Sequence, residues 1–213
     1  MYISAYSIVT DKQLITNGSL EFTSSSDDAK SIFKDIYKHL ELKYPKFHKM
    51  DMLCKLGFIT AEALLKNSTL NQNYEAHELA IVLANKHSTI HIDTEYYQSI
   101  KDKENYFPSP ALFVYTLPNI VIGEVAIKQG FKGEIGFLVQ EQFDAKAIYE
   151  YVADVFTDPQ TKACITGWVD IDAEENYKSV LFLVEKVNNS KDNITFEIQK
   201  LIDIFNTIQL WKN

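Results

Sequence analysis

Two cysteines, five histidines and 29 acidic side chains are what this 213-residue chain offers for chemistry, and few stand at spacings that chemistry uses. Cys54 and Cys164 are too few and too far apart for a disulfide framework or a metal site. Cys164, between Ala163 and Ile165, reads as core strand and not as a displaced nucleophile. His87 and His91, four apart in KHSTIHID, would form a metal-binding pair on a helix. No third ligand lies near them, and packing of a loop is the simpler role. His77 in NYEAHEL begins the HExxH pattern of zinc proteases, but Ile81 stands where the second histidine belongs. Asp93, Glu95, Asp102 and Glu104 read as a solvated face and not as an acid–base pair. The loop TSSSDD has no glycine with which to cradle a phosphate, so it reads as a turn and helix cap. No metal and no cofactor is expected.

The most specific pattern is residues 109–133, SPALFVYTLPNIVIGEVAIKQGFKG. It resembles the mid-domain signature of β-ketoacyl synthases, members of the thiolase-like superfamily, SPxxFxxTLPNxxxGExAIxxGxKG. Ser109, Pro110, Phe113, Thr116, Leu117, Pro118, Asn119, Gly123, Glu124, Ala126, Ile127, Gly130, Lys132 and Gly133 stand in that order. In the family a short strand and a nucleophile elbow with the catalytic cysteine come next. Gln142 lies nine residues beyond Gly133 and 25 before Gly167, the spacings the family uses, so the resemblance puts Gln142 at the nucleophile position.

A carboxamide is not a useful nucleophile at neutral pH, whereas condensation needs a thiolate to accept the acyl group. Phe143 and Asp144 stand where the family has small residues. A ring there fills space that an acyl chain needs, and a carboxylate opposes a developing oxyanion. The glutamine resembles the chain-length-factor subunits of type II polyketide synthases, which pair with an active synthase; the EQFDA context departs from both sub-families. The family's two catalytic histidines and supporting lysine belong to a second α/β half. His39, His48, His77, His87 and His91 all precede Gln142. The chain is therefore expected to cover the first half, to about Lys186, with a short tail.

Hydrophobic periodicity supplies the elements around these residues. Residues 2–9 alternate and predict a strand. A helix is predicted over 29–42 after the serine-rich cap, ended by Pro45, and another over 50–65 with a wide apolar face. The run 79–85 is continuously apolar, as in a buried parallel strand. Residues 93–100 are read as helix or loop, 111–115 as extended, 119–130 as a helix and 135–139 as a short strand. A helix over 145–156, strands over 163–169 and 179–185, and an amphipathic helix over 193–211 complete the chain. The tail helix carries Phe196, Ile198, Leu201, Ile202, Phe205, Ile208 and Leu210 at helical spacing.

The fold class is α/β: half of a thiolase-like fold, a mixed, mostly parallel five-stranded sheet with helices on both faces. The chain is one domain, 1–213, with C-terminal helix 193–211. In the intact family fold the third helix is sandwiched between two sheets, so the apolar outer face of 145–156 expects a cover, from the tail helix or from a partner. The strand 135–139 lies at the family's dimer two-fold, and Ile135, Phe137, Leu138 and Val139 are the implied interface.

A net charge of −8 disfavours nucleic-acid binding. MYISAYSIVTDKQ is no signal peptide and no run is long enough to span a membrane, so a cytoplasmic protein is expected. The favoured function is an inactive, chain-length-factor-like subunit in fatty-acid, polyketide or aryl-polyene-type biosynthesis. Its partner is expected to be a second copy or a full-length ketosynthase. The alternatives are a small 3-oxoacyl-carrier-protein synthase or decarboxylating enzyme using Gln142, and a module binding an acyl-carrier protein or acyl chain. For an acidic carrier, the cluster Lys43, Lys46, Lys49 and Lys55 is the local basic patch that could serve.

Overall fold

The computed structural model describes residues 1–66 and 68–207. Strand β1 (Tyr2–Thr10) returns through Asp11 and Lys12 into β2 (Gln13–Thr16), and Asn17-Gly18 returns the chain again as β3 (Ser19–Thr23). All four turn residues have positive φ, as two-residue hairpin turns between twisted strands require. Sequence analysis assigns no strand to 13–23, although Asn-Gly is a strong hairpin signal.

Helix α1 (Ala29–His39) is capped by Asp28, which accepts from Ser31 N at 2.9 Å. It stops short of the predicted residue 42 because Glu41 turns to a φ of 55°. A 3₁₀ turn (Pro45–Lys49) leads to α2 (Met52–Leu65), whose cap Asp51 accepts from Leu53 N and Cys54 N at 3.1 Å each. Next come α3 (Leu70–Asn73) and β4 (Leu79–Asn85), which is buried throughout. Three helices follow, α4 (Ile90–Ile100), α5 (Pro110–Tyr115) and α6 (Ile120–Gln129). The remainder is β5 (Ile135–Val139), α7 (Ala145–Val155), β6 (Ala163–Ile171), β7 (Tyr177–Glu185), β8 (Ile194–Thr195) and α8 (Ile198–Asn206).

Three expectations are corrected. Residues 111–115 are helical and not extended, because Ser109 accepts from Leu112 N at 3.3 Å and Pro110 sits in the first turn. The tail helix starts at Ile198 and not at Asn193, because Ile194 and Thr195 pair with β1 instead. Its expected residues Ile208, Leu210 and Trp211 lie outside the described residues. The sheet has eight strands where five were expected. The five central ones, in the order β1-β7-β6-β4-β5, keep the anticipated direction: β1, β6, β4 and β5 run one way and β7 the other. The hairpin β2–β3 widens the sheet beyond β1, and β8 pairs with the start of β1.

Both faces of this sheet are apolar and both are covered. On one, α2 lies across β1, β7 and β6, with α6 beside it over β4. On the other, α7 packs on β4 and β6, and α8 packs on α7. Leu201 is fully buried there, and Phe196 stacks on Tyr149 with centroids 5.4 Å apart. The tail helix thus supplies the cover that the outer face of α7 expects. Leu201→Ala is predicted to cost about 2–5 kcal/mol in a urea titration, whereas the exposed Lys200→Ala stays within about 0.5 kcal/mol. A loss at Leu201 no larger than at Lys200 would contradict this packing.

Candidate functional site

The segment between β5 and α7 has the strand–turn–helix shape of an elbow. Gln140 N donates to Asn85 O at 2.8 Å, which ties the turn to the end of β4. Gln142 follows, exposed, two residues before the cap of α7. The helix N-terminus is already occupied from within. Asp144 is the N-cap, and its Oδ1 accepts from Lys146 N and Ala147 N at 3.0 Å each. A carboxylate there satisfies the free amide donors and complements the helix dipole. An oxyanion at the same spot would meet a like charge in place of donors.

The space beside the turn is filled as well. Phe143 stacks on Phe205 of α8, centroids 3.9 Å apart and planes within 1°. Trp168 of β6 meets both rings edge-on, at 6.0 and 6.3 Å. Lys178 of β7 holds the far side: its Nζ lies 3.7 Å from the Phe205 ring centre and donates to Phe205 O at 2.6 Å. Cation, ring and carbonyl together fix the end of α8 against the elbow. Sequence reasoning flagged the bulk of Phe143 but did not single out Trp168 or Lys178. Nothing local marks them, because the contacts join residues 25 to 62 positions away from Phe143.

The signature residues build the other side of the sheet. Ser109 and Pro110 start α5, and Gly130 closes α6 at a φ of 77°. At Gly133 a Cβ would strike the backbone oxygens of His77 and Leu79, so glycine is required by close approach. Glu124 is buried on α6, yet it has polar partners: Lys46 Nζ stands 2.9 Å from Oε2, and Tyr115 OH donates to Oε1 at 3.2 Å. The hydrogen bond to Glu124 raises the Lys46 pKa, and burial followed by the Glu124 charge raises that of Tyr115. The glutamate therefore ties α6 to the end of α5 and to the 3₁₀ segment. Lys46 is consumed in this pair, which reduces the basic cluster to Lys43, Lys49 and Lys55.

The remaining candidates resolve into structural roles. Burial pushes the Cys164 thiol up to about 12. Burial, then the Asp51 charge, raises Cys54 well above the ordinary thiol range. Neither is a competent nucleophile. His87 and His91 do not share a helix. Their partners are carboxylates at the end of the sheet: His87 Nδ1 lies 2.8 Å from Asp170 Oδ2, and His91 Nε2 lies 3.5 Å from Glu175 Oε1. Asp170 also accepts from Lys86 N and His87 N, so the pair straps the loop after β4 to β6. Glu95, Asp102 and Glu104 are exposed. Among the described residues no group of three or more His, Cys, Asp or Glu is placed to hold a metal, and no helix is long and apolar enough to cross a membrane. The groove of about 530 Å³ between β1, β7 and the C-terminal ends of α1 and α2 is lined by polar groups such as Asn17, Asn73 and Glu185, and none of the elbow residues line it.

No protein-family model matches the chain, and no curated protein sequence does. Solved structures do match it. The ishigamide ketosynthase/chain length factor superposes with a TM-score of 0.66 at 14% identity, covering 89% of this chain and 63% of that one. The ketosynthase ApeO in complex with its chain length factor ApeC, from Xenorhabdus doucetiae, matches at 0.59 and 12% identity over 98% of this chain and 91% of that one. The complex AntDE:AntF, a type II polyketide synthase acyl-carrier protein with its ketosynthase bound to the hexaketide, matches at 0.55 and 12% identity over 87% and 62%. The chain thus spans under two-thirds of the first and third of these, and nearly the whole of the second. Its fold is that of ketosynthase and chain-length-factor subunits.

Proposed function

We propose that this chain is a catalytically silent, chain-length-factor-like subunit that assists acyl-chain elongation by pairing with a full-length ketosynthase. The observation that carries this reading is the closed elbow. Asp144 takes the amides an oxyanion would use, Phe143 and Phe205 fill the adjoining space, and Gln142 is the side chain at the turn. Neither buried cysteine offers an alternative thiolate. The similar structures are ketosynthases, chain length factors and their complexes, which supports polyketide or aryl-polyene-type elongation as the setting.

The partner surface we assign is the β5 edge. β5 ends the sheet, so its outer backbone groups have no strand to pair with among the described residues. Ile135 is 50% and Val139 56% exposed, and Phe137 and Leu138 are half-buried. An open apolar edge of this kind invites a second strand. Purified alone, the chain uses this edge for a homodimer; beside a ketosynthase, for a heterodimer. Carrier protein docks chiefly on the synthase, because a net charge of −8 repels an acidic partner.

Incubation with acyl- and malonyl-carrier protein is expected to leave no covalent acyl adduct by mass spectrometry. Gln142→Cys is expected to gain no condensing activity, since Phe143 and Asp144 still close the elbow and catalytic groups act as a unit. A stable thioester on Cys54 or Cys164, or condensation by that single variant, would refute the silent-subunit reading.

The edge is tested separately. Phe137→Asp converts the dimer to monomer or to insoluble protein, and Lys191→Asp in the exposed loop changes neither solubility nor mass in light scattering. A stable monomer of the unmutated chain across micromolar concentrations would remove the β5 interface.

A further inference from the structure

The groove of about 530 Å³ lies beside the start of β1 and the end of β7. β1 and β5 run the same way, so it stands at the opposite end of the sheet from the elbow, which follows β5. Its volume falls within that of small-molecule sites, about 300–1,000 Å³. Leu40, Leu64 and Leu183 supply apolar lining, and the charged lining is unbalanced. Three carboxylates, of Glu21, Glu185 and Asp192, stand against one ammonium, Lys66. That lysine is exposed and forms no ion pair among the described residues. His39 lines the groove too, with its ring stacked on Phe22 at 4.6 Å. Such a wall favours a cation.

Glu185 decides where the cation sits. It ends β7 and is 8% exposed, yet no cation pairs with it among the described residues. Both of its side-chain hydrogen bonds fall on one oxygen: Tyr74 OH donates to Oε1 at 2.8 Å, and Asn189 Nδ2 at 3.2 Å. Asn189 Nδ2 also reaches Tyr74 OH at 3.2 Å, so the carboxylate is held from two sides. Oε2 takes no donor from the described residues. Burial of a carboxylate among neutral donors alone is costly, and a cation entering the groove offsets that cost. A second lining group is also left open: Asn193 Nδ2 is buried and has no acceptor. A ligand that satisfies both brings a cation to Glu185 and an oxygen to Asn193. A bare metal ion fits less well. Calcium takes about six to eight oxygens, several of them from carboxylates, and among the described residues no three His, Cys, Asp or Glu converge. We infer that this groove binds a small organic ammonium that carries a hydroxyl or carbonyl oxygen, its nitrogen on Glu185 Oε2 and its oxygen on Asn193 Nδ2.

Ethanolamine and glucosamine, added at millimolar concentration to the full chain, are the probes. Ionic strength is matched throughout, because a chain of net charge −8 responds to any salt. At least one of the two amines is expected to raise the melting temperature, as a ligand of the folded state does. Glucose, which lacks the ammonium, and calcium chloride are expected to leave it unchanged. Glu185→Gln removes the charge and keeps an acceptor for Tyr74 and Asn189. Its melt without ligand is therefore expected to be no lower than that of the unmutated chain, and the amine no longer raises it. Asn193→Ala is expected to weaken amine binding about five- to tenfold in titration calorimetry, the loss of one neutral hydrogen bond. No rise with either amine, an equal rise with glucose or calcium, or a rise that survives in Glu185→Gln would overturn the site. A Glu185→Gln melt well below that of the unmutated chain would make the carboxylate structural and overturn it as well.

Discussion

A sheet that is apolar on both faces must be covered on both, and the architecture of this chain follows from that constraint. Every residue of β4 is buried, and the central strands β6 and β7 are nearly so. At about 25 cal/mol per Å² of apolar surface, a bare face is worth several kcal/mol of lost stability. One face is closed by α1, α2 and α6. The other has α7 alone over its centre until α8 arrives, and α8 is held in place chiefly by Leu201, Phe196, Phe205 and the Lys178 contact at its end.

That second cover is what shapes the elbow. Phe205 reaches the turn before α7 because α8 crosses the outer face of α7, and Phe143 meets it in a parallel stack. Aromatic contacts of this kind add about 0.5–1.5 kcal/mol beyond the area they bury. Stability of the layer and closure of the site are therefore one set of contacts. An acyl chain could enter beside α7 only by displacing the stack, and an oxyanion could reach the helix amides only by displacing Asp144. On the opposite face, the Glu124–Lys46 pair with Tyr115 ties α6, over β4, to the end of α5 and the 3₁₀ segment. The filled elbow and the open β5 edge thus sit on different parts of one sheet.

Much of this was legible in the residues. The continuous apolar run 79–85 is β4 to the residue, and the short apolar run 135–139 is β5. The serine-rich loop caps α1 as its composition implies. Residues 111–115 were misread because β-branched and aromatic side chains favour strands, while the cap at Ser109 and the proline after it decided for helix. The hairpin was missed despite Asn17-Gly18, since the strands beside it are short and partly polar. The closure of the elbow was legible only in half. Phe143 announces bulk, but its partners come from β6 and α8, and a contact between elements distant in sequence leaves no periodic trace in either. Tail residues past Thr207 lie outside the described residues.

On the function proposed above, this chain works through a partner and carries no acyl group itself. Native mass spectrometry of the chain co-expressed with a full-length, cysteine-bearing ketosynthase, after incubation with acyl-carrier protein, measures both parts at once. The account predicts a one-to-one complex in which the acyl mass increment resides on the ketosynthase subunit alone. Two subunits that fly separately at micromolar concentration, or an acyl increment on this chain, would contradict it.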